Sequence, residues 1–145
     1  MADFNYDVLG TIYKSDKWDN KIFKVRVKGK DKKIYALKMY ADINEPLQKL
    51  IFTREMEALK VLNSCNNIVK IRDIVTSLKY KGKPNYGAIL MDYVEGKTLD
   101  LYDWKSYSQL KKYQICFKIL QAVYNAHAND VIHRDLKPQN IIYDD

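Results

Sequence analysis

The sequence has 145 residues, of which 47% are hydrophobic, so it is long enough for one domain with a real core and is not that of a disordered chain. Its net charge of +7 comes from lysines interleaved with acidic residues along the whole chain, so no basic block predicts a specific nucleic-acid partner. No apolar stretch is long enough to cross a bilayer and the two cysteines lie far apart, which predicts a cytoplasmic protein without a membrane partner or a disulfide framework.

Five strands and one long helix are predicted in the first part of the chain. Period-two alternation and β-branched or aromatic residues predict strands at residues 6–13, 22–28, 34–40, 68–77 and 86–93. Asn44 shortly before Pro46 is a helix-start signal, and apolar residues at helical spacing continue to Leu62. Residues 79–84 predict the turn between the last two strands.

The sequence becomes helical after Gly96. A short segment at residues 99–105 and a long one at residues 108–129 predict a boundary between two lobes, residues 1–95 and 96–145. The long helix carries two adjacent apolar stripes, one of Leu110, Tyr113, Phe117, Leu120 and Tyr124 and another of Cys116, Ile119, Val123 and Ala126. Little sequence follows to cover it, which predicts that the chain is shorter than the domain to which it belongs.

Residues 131–140 read Val-Ile-His-Arg-Asp-Leu-Lys-Pro-Gln-Asn, and this block resembles the catalytic loop of protein kinases. Taken singly, His133, Arg134 and Asp135 favour a surface charge cluster after a helix. The whole block in this order, directly after a long helix, favours the kinase resemblance. The lysine in Asp-Leu-Lys-Pro is typical of the serine/threonine branch of the family.

The resemblance implies an α+β, protein-kinase-like fold: a five-stranded antiparallel N-lobe sheet with one helix, then the start of a mainly helical, truncated C-lobe. It also implies transfer of the ATP γ-phosphate to a Ser/Thr hydroxyl of a protein substrate. Asp135 is then the carboxylate at the attacking hydroxyl, Lys137 approaches the transferring phosphate, and Asn140 coordinates a metal ion. The expected cofactors are therefore ATP and Mg²⁺.

Residues 35–38, Tyr-Ala-Leu-Lys, resemble the family's Val-Ala-Ile-Lys signature, which makes Lys38 the expected partner of the ATP phosphates. A lone strand lysine is usually an exposed edge residue, but Ala36 on the same face leaves space for adenine. Glu55 on the predicted helix matches the glutamate that holds this lysine, whereas Glu57 faces another direction. The resemblance further implies a packed spine of Leu59, Ile71 and His133.

Residues 89–96 resemble the strand and hinge that bind adenine, with Met91 at the gatekeeper position. The expected hydrogen bonds use the backbone carbonyl of Asp92 and the backbone amide of Val94. The adenine ring is expected to lie among Leu9, Ile22, Ala36 and Ile142. The apolar residues of this set, like Leu59 and Ile71 of the spine, are equally suited to an ordinary core.

The sequence departs from the family pattern in two places. Only Gly10 remains of the Gly-x-Gly-x-x-Gly turn, and residues 11–21 form a longer polar loop with Trp18, which predicts weaker backbone contact with phosphates. The Asp-Phe-Gly segment is absent from these residues, and Asp144 and Asp145 come too early to replace it. Negligible kinase activity is therefore predicted for these residues alone.

Two functions remain open after this comparison with the family pattern. The first is a protein kinase seen as an incomplete catalytic domain, which acts on Ser/Thr of a protein. The second is a non-catalytic kinase-like module, a pseudokinase or split domain, that binds a C-lobe partner or self-associates through the exposed face of the long helix. A nucleic-acid binder is a third class that rests on charge alone.

Overall fold

The structure is a computed structural model that describes residues 2–15, 19–29 and 32–144. Trp18 and Asp145, which the sequence patterns include, lie outside these ranges. The chain forms two compact units. The first comprises the chain up to Lys60 together with Lys70–Tyr93, and the second comprises Val61–Val69 together with the chain from Val94 onward. None of the described helices is long and apolar enough to span a membrane.

The first unit is built on a six-stranded sheet. Its strands are β1 (Ala2–Asp3), β2 (Tyr6–Lys14), β3 (Lys21–Val27), β4 (Ile34–Tyr40), β5 (Ile71–Tyr80) and β6 (Lys83–Asp92). They lie in the order β1-β5-β6-β4-β3-β2, and all neighbours are antiparallel except the two-residue β1, which runs parallel to β5. The predicted five-stranded antiparallel sheet is confirmed, and β1 is an addition to it.

Alternation along β4 separates the two faces of the sheet. Leu37 and Met39 are fully buried on one face. They belong to a core that also contains Tyr6, Phe23, Val25, Leu78, Tyr86, Ala88 and Leu90. Because successive strand residues point to opposite sides, Ala36, Lys38 and Tyr40 project from the other face.

The connection between β5 and β6 is shorter than the sequence predicts. Lys81 and Gly82 alone form the turn, with φ angles of 47° and 78°. Two successive positive φ angles match the right-handed twist of paired strands, so both strands extend up to this turn. The Tyr80 ring packs edge-on against Tyr86 at 5.7 Å and anchors the end of the hairpin. The predicted turn over residues 79–84 is therefore wrong at both ends.

Helix α1 spans Pro46–Val61. Glu45 Oε2 accepts a hydrogen bond from the backbone N–H of Gln48 at 2.8 Å, so Glu45 caps the helix instead of the predicted Asn44. Phe52 is buried, and its ring lies 5.2 Å from the ring of Tyr40. This contact fixes α1 against the face of β4 that also carries Lys38.

The second unit contains a long helix and a short hairpin. Its elements are the 3₁₀ turns Leu62–Ser64, Leu99–Leu101 and Pro138–Asn140, the strands β7 (Lys97–Thr98) and β8 (Ile142–Tyr143), and helix α2 (Gln109–His127). The Tyr102 hydroxyl donates to the Tyr143 carbonyl at 2.6 Å, beside the antiparallel β7–β8 pair. The predicted helix at residues 99–105 is only a 3₁₀ turn, because the Leu99 carbonyl accepts hydrogen bonds from Tyr102 N and Trp104 Nε1.

Among the residues that the structure describes, contacts with helix α2 are confined to one side of the helix. Ser108 caps it by accepting a hydrogen bond from Lys111 N at 3.2 Å, and Asn67 Nδ2 donates to Gln121 Oε1 at 2.9 Å. Within the helix only Ile115 and Ala126 are buried. The first apolar stripe is 63% to 72% exposed along its whole length: Leu110, Tyr113, Phe117, Leu120 and Tyr124. Cys116 of the second stripe is also exposed.

Candidate active site

Lys38 and Glu55 form an ion pair in the first unit. Lys38 Nζ donates to both carboxylate oxygens of Glu55 at 2.7 Å. Strand β4 supplies the lysine, and the packing of α1 on the same face supplies the glutamate, whereas Glu57 is exposed. The two side chains remain 29% and 32% exposed, so the ammonium group is oriented by the carboxylate and still accessible to a further anion.

Cross-strand register groups three of the predicted adenine residues with this lysine. Ala36 pairs with Met91 on β6, and Lys38 pairs with Ile22 on β3. Because directly paired residues share a face, Ile22, Ala36 and Met91 lie on the same surface as Lys38. Ala36 is the smallest of them and is buried to 9% exposure, which keeps this surface flat beside the lysine.

Four other residues predicted to contact the nucleotide are not paired in register with Ala36 or Lys38. Leu9 and Gly10 fall at a register shift in β2, and both are exposed. Val94 and Ile142 belong to the second unit, where Ile142 pairs with Thr98. The roles of these four residues toward adenine or phosphate therefore stay predictions.

The side chain of Asp92 is held by two cations that the sequence analysis did not identify. Arg72 Nε donates to Asp92 Oδ1 at 2.9 Å while Arg72 Nη2 pairs with Oδ2, and Lys33 Nζ lies 3.1 Å from Oδ1. The Arg72 hydrogen bond lowers the pKa of the Asp92 carboxyl. Asp92 N also donates to the Lys70 carbonyl at 2.9 Å, so the end of β6 has a fixed position.

Residues 133–140 form a loop around the carboxylate of Asp135. Lys137 Nζ lies 2.9 Å from Asp135 Oδ2, and Asn140 Nδ2 donates to the same oxygen at 3.0 Å and to the Asp135 carbonyl at 2.8 Å. The backbone N–H of Asp135 donates to His133 Nδ1 at 3.2 Å. The three predicted catalytic residues of the second unit are therefore in direct contact, and all of them are exposed.

The charge state of Asp135 follows from these contacts. The hydrogen bond from Lys137, reinforced by that from Asn140, lowers the pKa of the Asp135 carboxyl. Asp135 is therefore ionised at neutral pH. Arg134, just before it, adopts a φ of 64°, a left-handed conformation that costs energy for any residue other than glycine and that persists where surrounding contacts hold it.

Tyr40 is a residue beside the ion pair that the sequence analysis missed. It is 1% exposed, and its ring centroid lies 5.3 Å from Lys38 Nζ. Burial, together with the negative charge of Glu55, raises the pKa of the Tyr40 hydroxyl, which stays protonated. A signal for this placement was present in the sequence, because a residue two positions after Lys38 on a strand shares its face.

Comparison with known proteins decides the family. The family model described as "Protein kinase domain" matches residues 21–145. The chain belongs to the protein kinase family. The resemblance found in the sequence and the protein-kinase-like α+β fold are thereby confirmed, since the matched region contains strands β3 to β6 of the sheet and both helices.

Several curated kinases are similar to this chain over part of their length. A probable serine/threonine-protein kinase of Clostridium perfringens is 33% identical over 83% of this chain and 17% of its own length. Serine/threonine-protein kinase PrkC of Bacillus subtilis is 35% identical over 72% and 15%. Calcium-dependent protein kinase 5 of Plasmodium falciparum is 28% identical over 64% and 19%. The chain thus spans less than a fifth of the length of these relatives.

The loop of this kinase chain offers donors that suit Mg²⁺. Carboxylate and amide oxygens, as on Asp135 and Asn140, are the ligands that this hard cation prefers. The Asn140 amide nitrogen is engaged with Asp135, which leaves the amide oxygen as the atom suited to a metal. In the described part of the chain, no three His, Cys, Asp or Glu side chains cluster as a metal site. Asn140 therefore fits Mg²⁺ as one ligand among phosphate and water oxygens.

Proposed function

We propose that this part of the kinase binds Mg-ATP and directs the γ-phosphate to a Ser/Thr hydroxyl of a protein substrate. The observation that carries the proposal is the Asp135 carboxylate, held in the ionised form by Lys137 and Asn140 in a loop of the kinase pattern. The serine/threonine preference is supported by Asp-Leu-Lys-Pro at residues 135–138 and by relatives that are named serine/threonine-protein kinases.

Each polar residue has one task in this proposal. Lys38, oriented by Glu55, donates hydrogen bonds to the nucleotide phosphates. Asp135 accepts the hydrogen bond of the attacking hydroxyl and takes its proton as the new bond to the γ-phosphorus forms, while the bond from this phosphorus to the β-phosphate oxygen breaks and ADP leaves. Lys137 offsets the negative charge that develops on the transferring group. Mg²⁺, with Asn140 as one ligand, supplies positive charge at the phosphates.

The adenine surface proposed for the first unit consists of Ile22, Ala36 and Met91. These residues share the face of Lys38 and together offer an apolar area beside the phosphate-binding lysine. The Asp92 carbonyl is proposed as the adenine hydrogen-bond acceptor, and the contacts of Asp92 with Arg72 hold that part of the strand in place.

Isothermal titration calorimetry of the 145-residue chain with Mg-ATP tests this proposal. Saturable binding is expected for the wild type, and Lys38→Met is expected to weaken it by about tenfold or more, because a charged phosphate donor is removed. Lys60→Met, an exposed lysine at the end of α1, is the matched control and should bind as the wild type does. Equal binding by Lys38→Met and the wild type would remove Lys38 from the nucleotide site.

Phosphate transfer by these residues on their own is expected to be negligible. The sequence contains no Asp-Phe-Gly, whose aspartate is the principal metal ligand in the family pattern. Radiolabelled ATP with a mixed Ser/Thr protein substrate provides the measurement. Clear incorporation of phosphate by the purified chain would contradict this expectation.

A second candidate function is a non-catalytic binding module, which the exposed stripe of α2 favours. Leu110, Phe117 and Leu120 are about two-thirds exposed, and a groove of 540 Å³ is lined by Phe117 together with Lys118 and Tyr143. Contiguous apolar surface of this kind marks protein interaction sites. We propose that the stripe is covered by protein, either C-lobe polypeptide or a second copy of the chain.

A further inference from the structure

The peptide group that joins Asp92 to Tyr93 lies just beyond the end of the sheet. The register of β6 with β4 ends at the pair of Tyr35 and Asp92, so strand pairing does not fix the peptide group that follows. This group carries the Asp92 carbonyl, which is the proposed acceptor for adenine. An acceptor binds best when its position is fixed before the ligand arrives, because ordering it during binding costs affinity.

Asp92, on one side of this peptide group, is held by two cations and by the backbone. Arg72 of β5 donates through Nε to Oδ1 at 2.9 Å and pairs through Nη2 with Oδ2, and Lys33 Nζ lies 3.1 Å from Oδ1. The backbone N–H of Asp92 donates to the Lys70 carbonyl at 2.9 Å. Ion pairs at a surface usually add little stability, but a two-point contact with arginine fixes the orientation of the carboxylate. Asp92 therefore has a defined place at the end of β6.

Tyr93, on the other side of the peptide group, is held by a cation from β3. Lys24 Nζ lies 4.2 Å from the centroid of the Tyr93 ring, within the range of a cation–π interaction. Because Lys24 pairs in register with Ala36, its side chain projects from the face that carries Lys38 and the proposed adenine surface. Once the Cα atoms on both sides are held, a planar peptide group keeps only rotation about the line between them. Strands β5 and β3 thus hold this group from its two ends.

We propose that Arg72 and Lys24 are positioning residues for adenine recognition: they hold the peptide group so that the Asp92 carbonyl accepts from the exocyclic amino group of adenine. The inference rests on the proposed function, because it assumes that adenine binds beside this carbonyl. Guanine carries an oxygen acceptor where adenine carries the amino donor, so a carbonyl held in place favours adenine. Arg72 and Lys24 contribute to this preference without touching the nucleotide.

The test removes the two cations and the amino group of the ligand in turn. Calorimetry of the 145-residue chain compares Mg-ATP with the Mg²⁺ complex of purine riboside triphosphate, which is ATP without the amino group. The wild type should bind ATP about fivefold more tightly than this analogue, which corresponds to one hydrogen bond. In Arg72→Met and in Lys24→Met, this ratio should fall to about twofold or less, because the amino group no longer meets a carbonyl held in place.

Lys79→Met is the matched control. Lys79 is an exposed lysine of β5, near the end of the strand opposite to Arg72, so its loss changes the net charge equally without affecting the peptide group. Its ratio should equal that of the wild type. A smaller folded fraction would weaken the apparent binding of both ligands by the same factor, so it does not change the ratio.

The possible results separate this inference from the proposed function. A ratio that stays at the wild-type value in Arg72→Met and Lys24→Met, whether both ligands lose affinity or neither does, would overturn the inference and leave the proposed function intact. A wild type that binds ATP and the analogue equally would also overturn it, since the carbonyl would then gain nothing from the amino group. Absence of Mg-ATP binding by the wild type would contradict the proposed function and this inference together.

Discussion

Asp135 depends on one lysine for its low pKa. Lys137 Nζ is 2.9 Å from the carboxylate, and its hydrogen bond is the largest influence on that pKa, ahead of Asn140. Lys137→Met is therefore expected to raise the pKa of Asp135 toward the ordinary value of about 3.9. Titration of the carboxyl carbon by NMR measures this, and Lys97→Met, on the neighbouring hairpin, is the control. An unchanged pKa in Lys137→Met would contradict the assigned cause.

The same shift gives the direction of a pH effect on stability. The pKa of Asp135 is lower in the folded chain than in the unfolded chain, so around these two pKa values the folded state binds fewer protons than the unfolded state at the same pH. The contribution of Asp135 to the free energy of unfolding is complete above the unfolded pKa and is lost as the pH falls through the lowered folded pKa. Because Asp135 is exposed, solvent screening keeps this contribution small.

The contacts of Asp135 could be predicted from the sequence, and so could the pairing of Lys38 with Glu55 through the family resemblance, but other contacts around these residues could not. Asp135, Lys137 and Asn140 lie within six positions of one another, so their contacts depend on local backbone geometry. Tyr40 and the partners of Asp92 are different, because they meet their neighbours only through strand register and helix packing. Their side chains carry no local pattern that marks such long-range contacts.

The hairpin of β7 and β8 requires a glycine just before it. A Cβ atom at Gly96 would lie 2.8 Å from the Tyr143 carbonyl carbon and 3.1 Å from Asp144 N, both of them backbone atoms that cannot rotate away. Gly96→Ala is expected to destabilise the chain by about 1–3 kcal/mol, because it forces a backbone shift. Urea unfolding followed by circular dichroism measures this free energy.

Gly10→Ala is the control for this hairpin prediction. No atom lies within 4 Å of a Cβ at Gly10, so alanine there should leave the free energy of unfolding within about 0.5 kcal/mol. Equal unfolding curves for Gly96→Ala and Gly10→Ala would show that the hairpin adjusts without cost.

Individual elements were predicted best where one face is apolar throughout. Strand β4 begins and ends where the alternation predicts, at Ile34 and Tyr40. The β5–β6 turn was predicted too long, because Gly82 and Pro84 are turn formers by composition, and only the strand twist selects a two-residue turn. The helix cap at Glu45 was missed for a similar reason, since Asn44 is the stronger cap by residue type alone.

At the scale of the whole molecule, the exposed stripe of α2 predicts self-association. Five large apolar side chains on one helix face are exposed to water in the monomer, and their burial in an interface between two chains would lower the free energy of the dimer relative to the monomers. Sedimentation velocity should show an average mass that rises with concentration in the wild type. Replacement of Phe117 and Leu120 by lysine should give a monomer at all concentrations without loss of helix signal.

Leu101→Lys is the matched control for the α2 prediction. Leu101 is 66% exposed, the same as Phe117 and Leu120, but it lies outside α2. This variant should associate as the wild type does. A wild type that is monomeric over a wide concentration range would contradict association through a second copy.

The sequence by itself determined the family, the order of strands and helices, and the identity of Lys38, Glu55, Asp135 and Asn140 as the residues of interest. It could do so because periodicity and the order of a short motif are local properties. Only the tertiary structure decided that Tyr40 lies buried beside the pair of Lys38 and Glu55, that Arg72 and Lys33 hold Asp92, and that the first apolar stripe of α2 is exposed along its whole length. These depend on which strand and helix faces pack together, and that packing follows from the burial of apolar surface over the whole unit.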